Sequence, residues 1–311
     1  MIICCGEALI DMLPRRSEEG EPAFAPYSGG AVFNSAIALG RLGVPVEFFS
    51  GLSSDLFGEQ LQASLTASKV GSRFAHVSSR PTTLAFVHLV DGHASYVFYD
   101  EGTAGRMLST ADLPALGPDV DALLFGAISL IPEPCGSAYE ALMAREHGQR
   151  VTMLDPNIRP AFIPDRAKHL ARISRMIAMA DIVKLSDEDL QWFGETGPVE
   201  EVVARWLERG PKLIIVTQGS KGATGYTNAH SVTVTPKLVD VVDTVGAGDT
   251  FNAGVLASLH DQGALSKDGI ANLTEAAVKE ALTLAAKAAA VTVSRAGANP
   301  PWRFELARSW L

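Results

Sequence analysis

Short apolar runs alternate with amphipathic stretches along most of this chain. Met1–Cys5, Val44–Ser50, Ala122–Ile128, Arg150–Leu154, Ile182–Leu185 and Leu213–Thr217 are each seven residues or shorter. Runs of that length, nearly continuous in apolar residues, suit strands buried on both faces. Between them a helical period recurs over Ala31–Leu42, Leu56–Ser68, Ser137–His147 and Arg166–Ala180, and an alanine-rich helix is expected over Ala276–Val293. This alternation predicts an α/β fold with a mainly parallel sheet covered by helices on both sides, three layers in all. In such a sheet ligands bind beyond the carboxyl ends of the strands. Asp11, the segment Asp155-Pro156-Asn157-Ile158-Arg159, Lys184, Gly219 and Asp249 all stand just after apolar runs.

One region breaks the pattern. Thr82–Tyr99 contains two β-rich runs around Asp91-Gly92, and Asp-Gly between such runs signals a hairpin. With the irregular segment Leu13–Tyr27 it predicts a small β lid, built from about 13–27 and 80–103, on a single domain spanning 1–311. An antiparallel edge extension with no part in binding is the other reading of the same hairpin. Two strands alone are marginal and an open edge invites pairing. The lid is therefore expected to pack against its counterpart in a homodimer.

Composition narrows the partners. The chain has 311 residues, 47% hydrophobic and 20% charged, with a formal net charge of −9 and no basic run. That balance speaks against nucleic acid or an anionic membrane, so an anionic ligand must be met by local positive groups. No apolar run approaches membrane-spanning length, and Glu7 and Asp11 come too early for a signal peptide. Cys4, Cys5 and Cys135 have no metal-site or disulfide spacing and read as buried thiols. Cys4 and Cys5, adjacent on a strand, should face opposite sides of the sheet. A cytoplasmic protein is expected.

The chemistry is concentrated at 240–254. An apolar run, Leu238–Val242, leads into Gly246 and Gly248, and a helical pattern starts at once. Glycines at a helix start leave backbone N–H groups accessible where the dipole favours an anion. Asp249 puts a carboxylate at the same point. An acid beside an anion cradle suits a base that takes a proton from a hydroxyl attacking a phosphoryl group; a simple N-cap is the alternative. The P-loop pattern is absent, and a G-x-G-x-x-G fingerprint would need glycine where Phe251 stands. Gly29 and Gly30 open a second helix of small residues. Paired glycines let a ligand approach the backbone, and Asn34 one turn later both donates and accepts toward hydroxyls; a tight turn with close packing explains the glycines equally well.

Two separated segments resemble one family, the ribokinase-type (PfkB) carbohydrate kinases. Asp243-Thr-Val-Gly-Ala-Gly-Asp-Thr-Phe251 is similar to its C-terminal motif almost residue for residue, and Gly29-Gly30 with Asn34 to its N-terminal glycine motif. The order of strands and helices agrees along essentially the whole chain. Gly6-Glu-Ala-Leu-Ile-Asp-Met12, Arg41-Leu-Gly43 and Ser95–Met107 resemble the bacterial fructokinase branch most.

The resemblance implies a ribokinase-like fold and roles at matching positions. Asp249 would be the base, with Gly246, Ala247 and Gly248 as the anion hole. Asp11, Gly29, Gly30 and Asn34 would hold sugar hydroxyls, with Arg106, Asn157 and Arg159 as further substrate contacts. Lys184, Ser186, Thr217, Gly219 and Gly222 would serve the nucleotide. Asp243 and the loop after Val293 resemble the monovalent-cation (K⁺) site of some members. Many relatives carry Asn-x-x-Glu where this chain has Ser186 and Asp189, so Asp189 would meet Mg²⁺ only through water. The implied reaction moves the γ-phosphoryl group of ATP, with Mg²⁺, to the 6-hydroxyl of fructose. Within the family 2-keto-3-deoxygluconate, a ribose-type sugar or a nucleoside are rival acceptors. A dinucleotide-dependent oxidoreductase conflicts with Phe251, and a non-catalytic sugar-binding regulator would lack the base.

Overall fold

The computed structural model describes residues 1–90 and 93–308. The expected sheet is present. Six strands lie parallel: β1 (Ile2–Cys5), β4 (Val46–Phe49), β9 (Ala122–Gly126), β10 (Val151–Asp155), β11 (Ile182–Ser186) and β12 (Leu213–Thr217). An antiparallel pair, β13 (Ala223–Tyr226) and β14 (Ser231–Val234), extends the β12 edge. The sheet order is β14-β13-β12-β11-β10-β9-β1-β4.

Alternation along each strand fills both faces. Ile2, Cys4, Leu124, Met153 and Ile215 pack with α1 (Ala31–Arg41), α7 (Ala247–Asp261) and α9 (Glu275–Val293). Ile3, Cys5, Leu123, Leu154 and Ile214 pack with α3 (Cys135–Glu146), α4 (Arg166–Met179) and α6 (Val199–Leu207). Cys4 and Cys5 thus face opposite ways, and all three cysteines are free and buried. The small residues of α7 and α9 bring those helices together: a Cβ on Gly254 would stand 2.4 Å from Ala285 Cα. Helix α2 (Leu56–Ala67) is capped by Asp55, whose carboxylate accepts from the Phe57 and Gly58 N–H groups.

The lid is larger than the hairpin alone. Leu13–Tyr27, expected to be irregular, belongs to two strands, β2 (Leu9–Arg16) and β3 (Pro22–Gly29). Pro14, Pro22 and Pro26 disguised them, yet proline is tolerated on strands that need not donate every ladder bond. With β7 (Leu84–Val90) and β8 (His93–Tyr99) they form a four-stranded sheet in the order β3-β2-β7-β8. The turn expected at Asp91-Gly92 lies outside the described residues. β5 (Gly51–Ser53) and β6 (His76–Ser78) make a third, two-stranded sheet.

The chain leaves β1 for the lid, returns through α1 to β4 on one side, and later places β9 on the other side of β1. Strand order therefore reverses between β1 and β9. At such a switch point the loops beyond the strand ends splay apart and leave a crevice.

Candidate active site

The crevice is closed on one flank by the start of α7. Gly246 turns the chain into the helix at φ 77°, a conformation cheap only for glycine. The dipole of the 15-residue helix puts its positive end here, and its first N–H groups point out of the helix. Ala247 N–H is held only by Thr244 O, at 3.3 Å.

This turn separates two cavities. On one side lies a cavity of about 380 Å³ lined by Asp11, Gly30, Asn157, Arg159, Lys184 and Asp249, with Glu7, Phe98 and Phe162. On the other lies a mostly apolar slot of about 340 Å³ between Thr217, Gly219 and Gly222 and the helix residues Phe251, Ala286 and Ala290. Thr244, Ala247 and Gly248 line both. The run Leu238–Val242 joins no sheet; Leu238, Val239 and Val241 are exposed and form the outer wall of the slot.

Asp249 opens on the first cavity and is itself buried. Its Oδ2 accepts from Asn34 Nδ2 at 2.9 Å, which joins α1 to α7 across the floor. Its backbone carbonyl accepts from Ser35 Oγ at 3.1 Å. Burial pushes the Asp249 carboxyl up to about 7; the Asn34 bond opposes this, Asp155 and Glu7 add to it, and Lys184 opposes it. A carboxylate with that affinity is matched to proton transfer near neutral pH. The side chain makes no cap bond at the start of α7, so the N-cap reading does not describe it.

The paired glycines act by size and by conformation. A Cβ on Gly29 would stand 2.1 Å from Asp11 Oδ2, so glycine leaves room for that carboxylate beside the cavity. Gly30 has φ 109°, and a Cβ there would meet Glu7 O at 2.7 Å. Burial raises Asp11 to about 6. The lid supplies Leu9, Asp11 and Phe98 from its inner face, and Phe98 meets Phe162 edge-on at 4.7 Å. The hairpin is therefore a cover over the crevice and not a mere edge extension.

Comparison with known proteins gives this arrangement its place. The model of the pfkB family carbohydrate kinases matches residues 1–304. The chain belongs to that family. Among its relatives, a fructokinase of Rhizobium leguminosarum bv. trifolii is 59% identical over 279 residues, covering 90% of this chain and 86% of the relative. The fructokinase of Xylella fastidiosa with bound ATP superposes with a TM-score of 0.89 at 28% identity, covering 99% of this chain and 98% of that one. A double mutant of the Vibrio cholerae O395 fructokinase, in its fructose-, ADP- and potassium-bound form, gives 0.83 at 27% identity, covering 96% and 93%. This chain is a carbohydrate kinase with the ribokinase-like fold and lid.

Other residues singled out in the sequence of this kinase lie farther from Asp249. Arg106 lines an adjoining cavity of about 300 Å³, beyond Phe98 and Phe162, and is paired with Asp100 at 2.9 Å. Ser186 caps α5 (Asp187–Trp192): Ser186 Oγ accepts from Asp189 N–H, and Asp189 Oδ2 accepts from Ser186 N–H. Asp189 Oδ1 takes the Ile158 N–H at 2.8 Å, so both its oxygens hold backbone. Asp243 accepts from Val245 N–H and from Gly297 N–H, at 3.0 and 2.9 Å, tying the loop after α9 to the glycine turn.

Three residues of the site were not assigned a role from the sequence. Glu7 takes the Ala31 N–H at 2.7 Å at the start of α1 and lines the cavity. Asp155 lies behind Lys184 at 3.1 Å. Phe98 covers the cavity from the lid. Asp155 and Glu7 follow apolar runs, and that position was the available signal. No helix among the described residues is long and apolar enough to cross a membrane.

Proposed function

We propose that this kinase is a fructokinase that transfers the γ-phosphoryl group of ATP to the 6-hydroxyl of fructose. The observation that carries the reading is the glycine turn at the start of α7, standing between an apolar slot and a polar cavity, with Asp249 on the polar side. Adenine fits the apolar slot, and the phosphates would run past Thr244 and Gly248 to the turn. The sugar would occupy the cavity under the lid, its hydroxyls on Asp11, Gly30 and Asn34. Asp249 would take the proton of the attacking hydroxyl while the N–H groups of 246–248 meet the charge on the phosphoryl oxygens. Lys184 is the buried cation nearest that point: a Cβ on Gly248 would lie 3.1 Å from its Nζ.

Mg²⁺ would arrive on the ATP phosphates and offset their charge. No cluster of three His, Cys, Asp or Glu side chains fit to hold a metal occurs among the described residues. The ion would keep its waters and be held mainly by phosphate, with Asp189 reaching it only through water. A K⁺ ion, which the Vibrio double mutant also binds, would here sit by Asp243 and the 294–297 loop and order the turn. Turnover in K⁺ should exceed turnover in tetramethylammonium at equal ionic strength; equal rates reject that seat.

The choice of sugar follows from the arginines. A carboxylate acceptor such as 2-keto-3-deoxygluconate calls for a bidentate cationic grip. Arg159 lines the cavity of Asp249 with Lys184, while Arg106 lies in the neighbouring one and is paired with Asp100, so the two arginines do not grip one carboxylate together. The Rhizobium relative is a fructokinase. ADP release measured over a panel of sugars, keto-acid sugars and nucleosides is expected to give fructose the highest kcat/KM. A tenfold advantage for 2-keto-3-deoxygluconate, about 1.4 kcal/mol in transition-state binding, would reverse the assignment.

The outer face of the lid supports a homodimer. Side chains alternate along β8, so Phe98 faces the cavity while Val97 and Tyr99 stand 51% and 61% exposed. Phe24, 49% exposed, meets Phe86 edge-on at 5.0 Å, and Phe86 meets Tyr99 at 5.5 Å. An aromatic sheet face of this kind is suited to a second copy of itself. Light scattering at micromolar concentration should give twice the monomer mass; a monomer throughout would reject the lid interface.

A further inference from the structure

Asp155 ends β10 beneath the site and is 4% exposed. Three donors converge on it. Lys184 Nζ from β11 lies 3.1 Å from Oδ2, Asn252 Nδ2 from α7 lies 2.6 Å from the same oxygen, and Asn157 N–H lies 3.1 Å from Oδ1. Lys184 is 5% exposed, and its ammonium lies against Gly248 in the wall of the acceptor cavity. A buried ammonium is costly unless it is paired and hydrogen-bonded. Asp155 is its hydrogen-bonding partner, and Asn252 anchors that partner to the helix whose N-terminus forms the turn.

We propose that Asp155 is a positioning residue: it holds the Lys184 ammonium against the glycine turn, so that this charge completes the seat of the transferring phosphoryl group. The proposal rests on the phosphoryl-transfer reading above. Its physical basis is a charge problem. Glu7, Asp11 and Asp249 all face the cavity into which a phosphoryl group must come, and the cations lining it are Arg159 and Lys184. Backbone N–H groups supply only partial charge. A full charge fixed at the turn needs no reorganisation during transfer, and that is the condition under which electrostatic stabilisation is largest. Burial alone would lower the Lys184 pKa, but Asp155, Asp189 and Asp249 together raise it, which keeps the group an ammonium.

The test is a double-mutant cycle on the intact enzyme with fructose and MgATP. Asp155→Asn keeps the shape and can still accept from Asn252 or Lys184, but it removes the charge. It should lower kcat roughly tenfold or more, with sugar KM changed little, and Lys184→Met should lower kcat at least as much. The double variant should be no slower than Lys184→Met alone, because Asp155 acts through Lys184. Asn252→Ala leaves both charges and removes one hold on Asp155, so it should give an intermediate loss even if Asp155→Asn does not fold.

The pH profile reports whether the Asp155 charge stands beside Asp249, and the double variant separates positioning from scaffolding. Asp249 is faced by Asn34 from α1, Lys184 from β11, Asp155 from β10, Glu7 after β1, and Asp11 and Arg159 around the cavity. Removing only the Asp155 charge favours ionised Asp249 and should move the acid limb of kcat/KM to lower pH. A purely structural role would instead slow the double variant below Lys184→Met alone, because its loss would not pass through Lys184. Single effects that multiply in the double variant, an unmoved limb, or native kcat in Asn252→Ala would each overturn the proposal while wild-type activity stands. Absence of sugar-dependent ADP release by the wild type would instead reject the kinase assignment, and this proposal with it.

Discussion

Asp249→Asn should reduce turnover by about 10²–10⁴-fold, the usual worth of a positioned general base. The amide has the same shape, and its oxygen can still accept the hydrogen bond from Asn34 that Asp249 Oδ2 accepts at 2.9 Å. The fold and the affinities for ATP and sugar should therefore change little. What is lost is the capacity to take a proton. The wild type adds a second signature. Burial first, then the charges of Asp155 and Glu7, raise Asp249 to about 7 against the pull of Asn34 and Lys184. A base works only when ionised, so kcat/KM should fall as pH drops through about 7 and level off above it. The Asn variant should lose that limb and keep only what Asp11, raised to about 6 by burial, contributes. An unchanged profile in a folded Asn variant would remove Asp249 from the chemistry.

Gly29→Ala should raise the KM for sugar by about 10–100-fold, with ATP KM and thermal stability near native. The added Cβ would stand 2.1 Å from Asp11 Oδ2 and 3.2 Å from its Cγ. Both atoms belong to a side chain that can rotate, so the carboxylate is displaced and the backbone is spared. The loss corresponds to one hydrogen bond to a charged acceptor, roughly 1.5–3 kcal/mol. Gly30→Ala is a different experiment: φ 109° and the Glu7 carbonyl at 2.7 Å set backbone against backbone, so stability falls together with binding. A Gly29→Ala variant with native sugar KM would show that Asp11 does not bind the acceptor.

These expectations show what the sequence made legible. The parallel sheet was readable because β1, β9, β10, β11 and β12 are buried on both faces and so are mostly apolar, with Thr152 and Lys184 as polar exceptions inside β10 and β11. Helices α1, α2, α3, α4 and α9 begin within two residues of their expected starts. Leu13–Tyr27 was hidden because Pro14, Pro22 and Pro26 mask a local antiparallel pair, which joins the distant β7 only through Ile10–Met12 just before it. Leu238, Val239 and Val241 of the Leu238–Val242 run line the slot beside Thr217 and Gly219 and do not enter the core.

The site was legible where local chemistry defines it. Gly246, Gly248 and Asp249 stand together in the chain and in the cavity wall, because a helix N-terminus is a local object. Asp155 was not, since its meaning comes from Lys184 and Asn252, 29 and 97 positions away. Arg106, which the resemblance implied as a substrate contact, lines the cavity adjoining that of Asp249 and pairs with Asp100. Pairings of that kind depend on how separate strands and helices come together, and no local pattern announces them.

The account stands on phosphoryl transfer from ATP to the fructose 6-hydroxyl. The most direct measurement is product analysis by phosphorus and proton NMR after incubating the purified protein with fructose and MgATP. One fructose 6-phosphate should form for each ADP released, and neither should accumulate with Asp249→Asn over the same interval. ADP release that does not depend on sugar, or a phosphate on another hydroxyl of fructose, would contradict it.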